Sequence, residues 1–402
     1  MDNKPKRHCM VVLAQYPLGE TRVQREAEAL INCGYEVDVI SWRIPGQAAT
    51  DKHRGVRIFR EKAAVPMRLV KKGNVASLFP IYFHFLLSAA IKLTKLHRQR
   101  PYDTIQVHNL PDFLVFSALL PKLAGVPIIL DLHDLMPEFF AGRFGHNGSS
   151  LPARLIRWQE RLACRFADHV ITVSEHWRQA LIERGVPPHK CSVVMNVADE
   201  SIFHWPETNC PRPPSQDGFR LIYHGTIVHR YGLDLALQAI AAVKDDIPNV
   251  HLTILGLGHD VSALIEMAEE LNLSNHVTIR KELRPAEELP GIIRAADVGV
   301  VPYRNDIFTD GLLPTKLMEY AALGLPAIAA RTTAIERYFR DTMVEFFQPG
   351  DVGDLARCIR TLFNDRGRLK ELAQGSQKFN QRYNWTKISA EYVALIEQLS
   401  TR

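Results

Sequence analysis

Paired cysteines, phosphate-loop glycines and catalytic elbows are all missing from this sequence of 402 residues, and each gap removes a class of chemistry. The six cysteines (Cys9, Cys33, Cys164, Cys191, Cys210, Cys358) include no C-x-x-C pair. Their scatter argues against a zinc ribbon or a disulfide framework and for a reduced intracellular protein. No G-x-x-x-x-G-K-[ST] occurs, which excludes a P-loop hydrolase, and the turn Gln15 to Gly19 lacks the G-x-G-x-x-G of a nicotinamide dehydrogenase. There is no G-x-S-x-G elbow. No two aspartates are spaced D-x-D and no histidines cluster along the chain, so the expectation is no metal and no cofactor.

Charge of one sign is also scarce: 49 Lys and Arg against 44 Asp and Glu leave +5, too little to support nucleic-acid binding. One segment, Val75 to Ile91, is almost continuously apolar over 17 residues, just short of the roughly 20 that cross a bilayer, and it contains Pro80 and His84. It reads as a buried or interfacial helix. Met1 to Arg7 has no secretory apolar core, so a cytoplasmic location is expected. Between Lys52 and Lys72, eight Lys or Arg accompany one acid, Glu61, directly before the apolar segment. A basic surface backed by apolar residues attracts anionic lipid and would make the protein peripheral on the inner face of the cell membrane; a core helix behind a solvated loop is the alternative.

What is present alternates. With 46% hydrophobic and 23% charged residues the chain is ordinary globular material, long enough for two or three domains. Strand-like runs at Met10–Ala14, Glu36–Trp42, Thr104–His108, Ile128–Leu132 and Val170–Val173 are separated by helical spacing at Arg22–Cys33, 75–96, Pro111–Leu123 and Pro152–Ala167. Residues 203–218 hold four prolines among polar residues, the composition of a stiff linker, and a second alternating run starts at Phe219. The predicted fold class is therefore α/β, two Rossmann-like doubly wound domains over residues 1–202 and 219–380 with the ligand expected at the carboxyl ends of the sheets, and a helical tail over 381–402.

The most informative stretch is Asp310 to Pro326. Pro314 suits the first turn of a helix and Gly324 its end. Such a helix turns the free N–H groups around Leu313, Pro314 and Thr315 toward a diphosphate, Lys316 adds a charge in the first turn, and Glu319, one turn on, can accept ribose hydroxyls. A solvated Lys–Glu pair on an ordinary helix is the competing explanation.

Here the chain closely resembles the family-four retaining glycosyltransferases of the two-domain GT-B fold, nearly end to end. Glu319, Gly324, Leu325 and Pro326 are similar to the family's C-terminal-domain signature, with Gly311 where its first acidic residue stands. His224 to Asp234 resembles the segment whose Arg and Lys grip the donor diphosphate; those positions are Thr226 and Tyr231 here, and the charge role moves to Arg230. Gly225, Thr226, Gly256 and Gly258 correspond to turns where backbone approaches the nucleotide, and Gly19 to the loop that touches donor phosphate. On the acceptor side the resemblance implies His133 beside the transferred sugar, with Asp134, Arg22 and His108 as further candidates. Tyr383, Asn384 and Trp385 resemble the aromatic signal where the tail crosses back onto the first domain.

The resemblance thus implies a retaining, metal-independent transferase acting from a nucleoside-diphosphate sugar onto a hydroxyl acceptor, with a lipid-linked saccharide within its range, in surface polysaccharide or glycoconjugate biosynthesis. His133, Lys316 and Arg230 are the expected catalytic groups. A nucleotide-sugar epimerase, or an inactive nucleotide-sugar-binding or membrane-scaffold subunit, remain open alternatives.

Overall fold

The computed structural model describes residues 4–62, 79–144, 150–205, 218–247 and 249–401. The chain divides into two compact units, Met1–Asn196 with Thr386–Arg402, and Val197–Trp385.

The first unit contains β1 (Arg7–Val11), α1 (Thr21–Asn32), β2 (Glu36–Arg43), β3 (Thr50–His53), β4 (Val56–Lys62), α2 (Phe79–Gln99), β5 (Thr104–His108), α3 (Leu119–Leu123), β6 (Ile128–Leu132), α4 (Met136–Phe144), α5 (Leu151–Phe166), β7 (His169–Thr172), α6 (Glu175–Glu183) and β8 (Cys191–Val193). Its sheet runs β3-β4-β2-β1-β5-β6-β7-β8, parallel except for β3. The central strands β1, β5, β6 and β7 are buried along their whole length, as strands covered by helices on both faces must be.

The second unit contains β9 (Phe219–His224), α7 (Leu233–Val243), β10 (Val250–Leu255), α8 (Val261–Glu270), β11 (Val277–Arg280), α9 (Leu289–Ile293), β12 (Val298–Val301), α10 (Thr315–Leu323), β13 (Ala327–Ala330), α11 (Thr333–Tyr338), β14 (Glu345–Phe347), α12 (Val352–Asn364) and α13 (Arg366–Arg382). Its parallel sheet runs β11-β10-β9-β12-β13-β14. The last helix, α14 (Trp385–Ser400), belongs from Thr386 onward to the first unit.

Several elements differ from the sequence expectation. β1 begins at Arg7, not Met10, because polar residues there are buried with partners: Arg7 Nη2 donates to Asp38 at 2.9 Å and His8 Nδ1 lies 2.6 Å from the Thr104 hydroxyl. The division after Asn196 lies upstream of the proline-rich stretch because Phe203 is buried and Trp205 packs over Gly324 in the second unit; residues 206–217 of that stretch lie outside the described residues. Likewise residues 381 and 382 still belong to α13.

The basic segment is also more structured than a solvated loop. Residues 50–62 form an antiparallel hairpin at the sheet edge, and Arg54, Arg57 and Arg60 pair with Glu28, Asp38 and Asp51. Arg68, Lys71 and Lys72 lie outside the described residues. The helix expected over 75–96 is described from Phe79. It buries Ile81, Phe85, Ala89 and Leu93 and exposes Phe79, Phe83, Leu87 and Ile91 on another face. No helix among the described residues is long and apolar enough to cross a membrane.

Candidate functional site

In the second unit the strand order reverses between β9 and β12, and in open α/β sheets the loops leaving the carboxyl ends at such a point line the ligand crevice. The β9 loop carries Gly225 and Thr226, and the β12 loop carries Tyr303. Next to them α10 starts after Pro314, which caps it in an extended conformation, and stops at Gly324, whose φ of 69° is the left-handed geometry glycine supplies. Leu313 and Pro314 are buried and Thr315 is exposed at the helix start.

Lys316 is buried. Its Nζ donates to the Tyr303 hydroxyl at 2.7 Å and lies 4.9, 5.1 and 5.0 Å from the ring centres of Tyr223, Tyr231 and Tyr303. Burial pushes the ammonium down to about 8, only partly opposed by Glu319. Gly225 is its immediate neighbour: a β-carbon there would sit 3.3 Å from Cε and 3.6 Å from Nζ. Thr226 is exposed, and its carbonyl accepts the Tyr223 hydroxyl at 2.6 Å, which pins the turn. Gly256 and Gly258 have a local reason to be glycine, since β-carbons there would fall 1.8 Å from the Gly225 oxygen and 1.7 Å from the Ile227 oxygen.

Two expected positions look different in three dimensions. Glu319 Oε2 lies 2.5 Å from His224 Nε2, and His224 Nδ1 lies 3.1 Å from the Tyr320 hydroxyl, so one carboxylate oxygen is engaged by a neighbour at the end of β9. The cation beside Gly225 is Lys316 rather than Arg230. The Arg230 guanidinium lies 5.1 Å from the ring centre of Phe308, an aromatic face that competes for it.

In the first unit the order reverses between β2-β1 and β5-β6, and a cleft of about 560 Å³ opens over the carboxyl ends of β1, β5 and β6. His133, Asn109, Asp134, Gln15 and Glu20 give it polar groups, and Trp42, Ile44, Ile81 and Tyr82 an apolar wall. Glu20 is pushed up by burial, against the opposing effect of His133. The exposed Gly19 precedes it with φ +80°, and nothing lies within 4 Å of where its β-carbon would be.

Behind His133 stands a buried polar network. His108 Nδ1 is 3.0 Å from His133 Nε2 and 3.2 Å from Asp131 Oδ2. Burial pushes His108 down to about 4, so it is neutral, and its single proton is best used on Nδ1 toward Asp131. His133 Nε2 also lies 3.6 Å from Asp131 Oδ2. Asp131 is gripped by Arg22 through Nε at 3.1 Å and Nη2 at 3.0 Å, and Gln106 donates to it at 3.0 Å. Burial alone would raise this carboxyl, but Arg22, His133 and His108 hold it well below the usual range. Tyr392 on α14 donates to Gln106 at 2.7 Å and completes the network.

This arrangement corrects two expectations. Arg22 is buried and its guanidinium also reaches the Val194 carbonyl at 2.7 Å and Glu26 at 3.1 Å, so it braces the site instead of meeting an acceptor. Histidines that are 25 residues apart do cluster: His108, Asp131 and His133 bring three ligand atoms within 4.8 Å of one another. Arg22 already neutralises Asp131, which works against a second cation at that point.

The neutral His108 has a measurable consequence. Its folded value of about 4 lies below the unfolded 6.5, so the unfolded chain takes up a proton that the folded one refuses. Its contribution is complete above pH 6.5 and is lost as pH falls toward 4, up to about 3 kcal/mol. Denaturation of wild type and His108→Gln at pH 7 and pH 5 tests this: the acid-induced loss should be smaller in the variant, and equal losses would reject it.

Residues 19–196 match the Glycosyl transferase 4-like domain, and residues 211–379 match Glycosyl transferases group 1. The chain belongs to the group 1 glycosyltransferases. It is 26% identical over 361 residues to D-inositol 3-phosphate glycosyltransferase 1 of Catenulispora acidiphila, covering 85% of this chain and 81% of that one. Among solved structures it resembles the sucrose-phosphate synthase of Thermosynechococcus elongatus, with a TM-score of 0.77, 18% identity and coverage of 98% and 99%. It is also similar to Anabaena HepE in complex with UDP and glucose, with a TM-score of 0.70, 18% identity and coverage of 98% and 100%. These likenesses establish the GT-B fold that the sequence resemblance implied.

In this group 1 glycosyltransferase the fold brings Gly225 and Lys316 together in one unit, and His108, His133, Asn109 and Asp134 in the other. Sequence reasoning missed Asp131, His224, Glu20 and the three tyrosines around Lys316. Asp131 had a legible signal: it stands two residues before His133 at a strand end, the spacing that puts side chains on one face. Tyr223 and Tyr303 had none, and Tyr231 stands out only as the position where the related segment carries its lysine, because the three come from separate segments.

Proposed function

We propose that this glycosyltransferase moves a sugar from a nucleoside-diphosphate sugar to a hydroxyl acceptor, with retention at the anomeric carbon and without a metal. The observation that carries the reading is Lys316, a buried ammonium in the first turn of α10 and beside the Gly225 turn. When the bond from the anomeric carbon to the phosphate oxygen breaks, its electron pair stays on the diphosphate. The free N–H groups of Thr315 and Lys316 at the start of α10 and the Lys316 charge stabilise that growing charge without reorganising. Arg230 is a second cation on the β9 loop, Gly256 and Gly258 let the β10 loop pack against the Gly225 turn, and Glu319 Oε1 accepts a ribose hydroxyl while Oε2 stays with His224.

Among the described residues no nucleophile stands in a position the fold singles out, so the acceptor hydroxyl attacks the face the diphosphate leaves, and its proton passes to the departing phosphate oxygen. His133 orients the acceptor. The relative named for D-inositol 3-phosphate and the neighbour holding UDP and glucose support a polyol-like acceptor and a UDP-type donor. Incubating the protein with UDP-, GDP- and ADP-sugars, with and without EDTA, tests the reading. Nucleoside-diphosphate release that persists in EDTA, with an α-linked product from an α-linked donor, is expected. Loss of turnover on chelation, or an inverted product, would overturn it.

We further place the acceptor on a lipid carrier at the inner face of the cell membrane, in surface polysaccharide or glycoconjugate assembly. Phe79, Phe83, Leu87 and Ile91 recur every four residues along the outer face of α2 and are 48 to 71% exposed. Leu87 and Ile91 also line a groove of about 700 Å³ together with Leu119, Leu120, Lys95 and Arg98. Such a face inserts its apolar stripe among acyl chains while the cations meet anionic headgroups. Liposome flotation should recover the protein with anionic vesicles, and Leu87→Glu/Ile91→Glu should abolish recovery. Equal recovery of both proteins would remove the membrane assignment.

A further inference from the structure

In this chain the positions corresponding to the paired cations of the donor-gripping loop are Thr226 and Tyr231, and Lys316 is the ammonium that sits against that loop. Three tyrosines from three segments close around it: Tyr223 at the end of β9, Tyr231 before α7 and Tyr303 after β12. We propose that these tyrosines are positioning residues for the donor diphosphate, a cage that holds the Lys316 ammonium against the Gly225 turn. The inference rests on the donor-binding reading above.

The geometry divides the labour. Tyr303 accepts one Lys316 N–H at 2.7 Å and so fixes where the ammonium stands. Tyr231 stacks on Tyr303, ring centres 4.5 Å apart and 14° from parallel, and holds that ring in place. Tyr223 ties its hydroxyl to the Thr226 carbonyl at 2.6 Å, so the same residue that faces the ammonium also fixes the turn beside it. One of three N–H groups is used by the Tyr303 hydroxyl, and the Tyr223 and Tyr231 rings, 4.9 and 5.1 Å away, attract the charge without consuming donors. The remaining N–H groups are available for phosphate oxygens. Lysine without the cage would lose four rotatable bonds on meeting the diphosphate; the cage has ordered them beforehand.

The groups facing the ammonium are the three tyrosines and, on its own helix, Glu319. Burial already disfavours its charge, so donor affinity should fall as pH rises through about 8. Replacing Tyr303 by Phe keeps a ring but removes the accepting oxygen that stabilises the charged form. The midpoint should then move to lower pH.

The test is isothermal titration of UDP, GDP and ADP between pH 6.5 and 9.5, alongside ¹³Cε NMR titration of lysine-labelled full-length protein. Tyr303→Phe should weaken nucleoside-diphosphate binding about five- to tenfold at pH 7.5 and shift the Lys316 signal midpoint downward. Tyr231→Leu should act in the same direction, and Lys316→Arg should flatten the pH dependence because arginine stays charged. If both tyrosine variants keep the wild-type affinity and the wild-type Lys316 titration, the cage is only packing and the proposal fails. If no diphosphate binds wild type, the donor reading fails, while an unchanged NMR titration in folded Tyr303→Phe still refutes the cage by itself.

Discussion

Arg22→Met is expected to destabilise the protein by about 3–5 kcal/mol, because it leaves buried carboxylates without their cation. Arg22 makes two hydrogen bonds to Asp131 and one ion pair to Glu26, and all three side chains are buried. Arg22 is the largest of the groups that keep Asp131 ionised, ahead of His133 and His108. Burial pushes Glu26 up, and Gln106 is left holding both carboxyls, at 2.8 Å and 3.0 Å. The double variant Arg22→Met/Asp131→Leu should recover part of the loss, since neither charge is then stranded. Denaturant unfolding of both proteins gives the answer in the midpoint. A cost under about 1 kcal/mol for Arg22→Met would mean that water reaches the network and that Arg22 behaves as a surface pair.

The second large effect concerns catalysis. Lys316→Met should lower kcat by roughly a hundredfold, the 2.7 kcal/mol order typical of removing one group that meets developing charge, with a smaller change in donor KM. Glu319→Ala should do the reverse. A ribose hydroxyl that loses a charged acceptor costs about 1.5–3 kcal/mol, roughly ten- to a hundredfold in donor affinity, with kcat less affected. His224 separates this from collapse of the pocket. It holds Glu319 Oε2, so His224→Ala should raise donor KM by less than Glu319→Ala while leaving kcat near wild type. Steady-state kinetics on the three folded variants decides the matter. Wild-type donor kinetics in Glu319→Ala would reject its place in the site.

The sequence by itself determined the α/β class, because apolar runs of four to six residues separated by helical spacing leave no other way to bury both faces of the strands. It located helix α10 as well, since Pro314 and Gly324 act locally, one by presetting φ and the other by accepting the left-handed turn. It also carried the family likeness at Glu319 and His133, which lie in short contiguous motifs. Only the tertiary structure decided which side chains meet. Arg22 and Asp131 are separated by 109 residues, His224 and Glu319 by 95, and Lys316 and Tyr303 by 13 across a loop. No local periodicity links such pairs. Parallel sheets join distant strands side by side, so the charge state of His108, the bracing role of Arg22 and the tyrosines around Lys316 exist only once β5, β6, β9 and β12 have found their places.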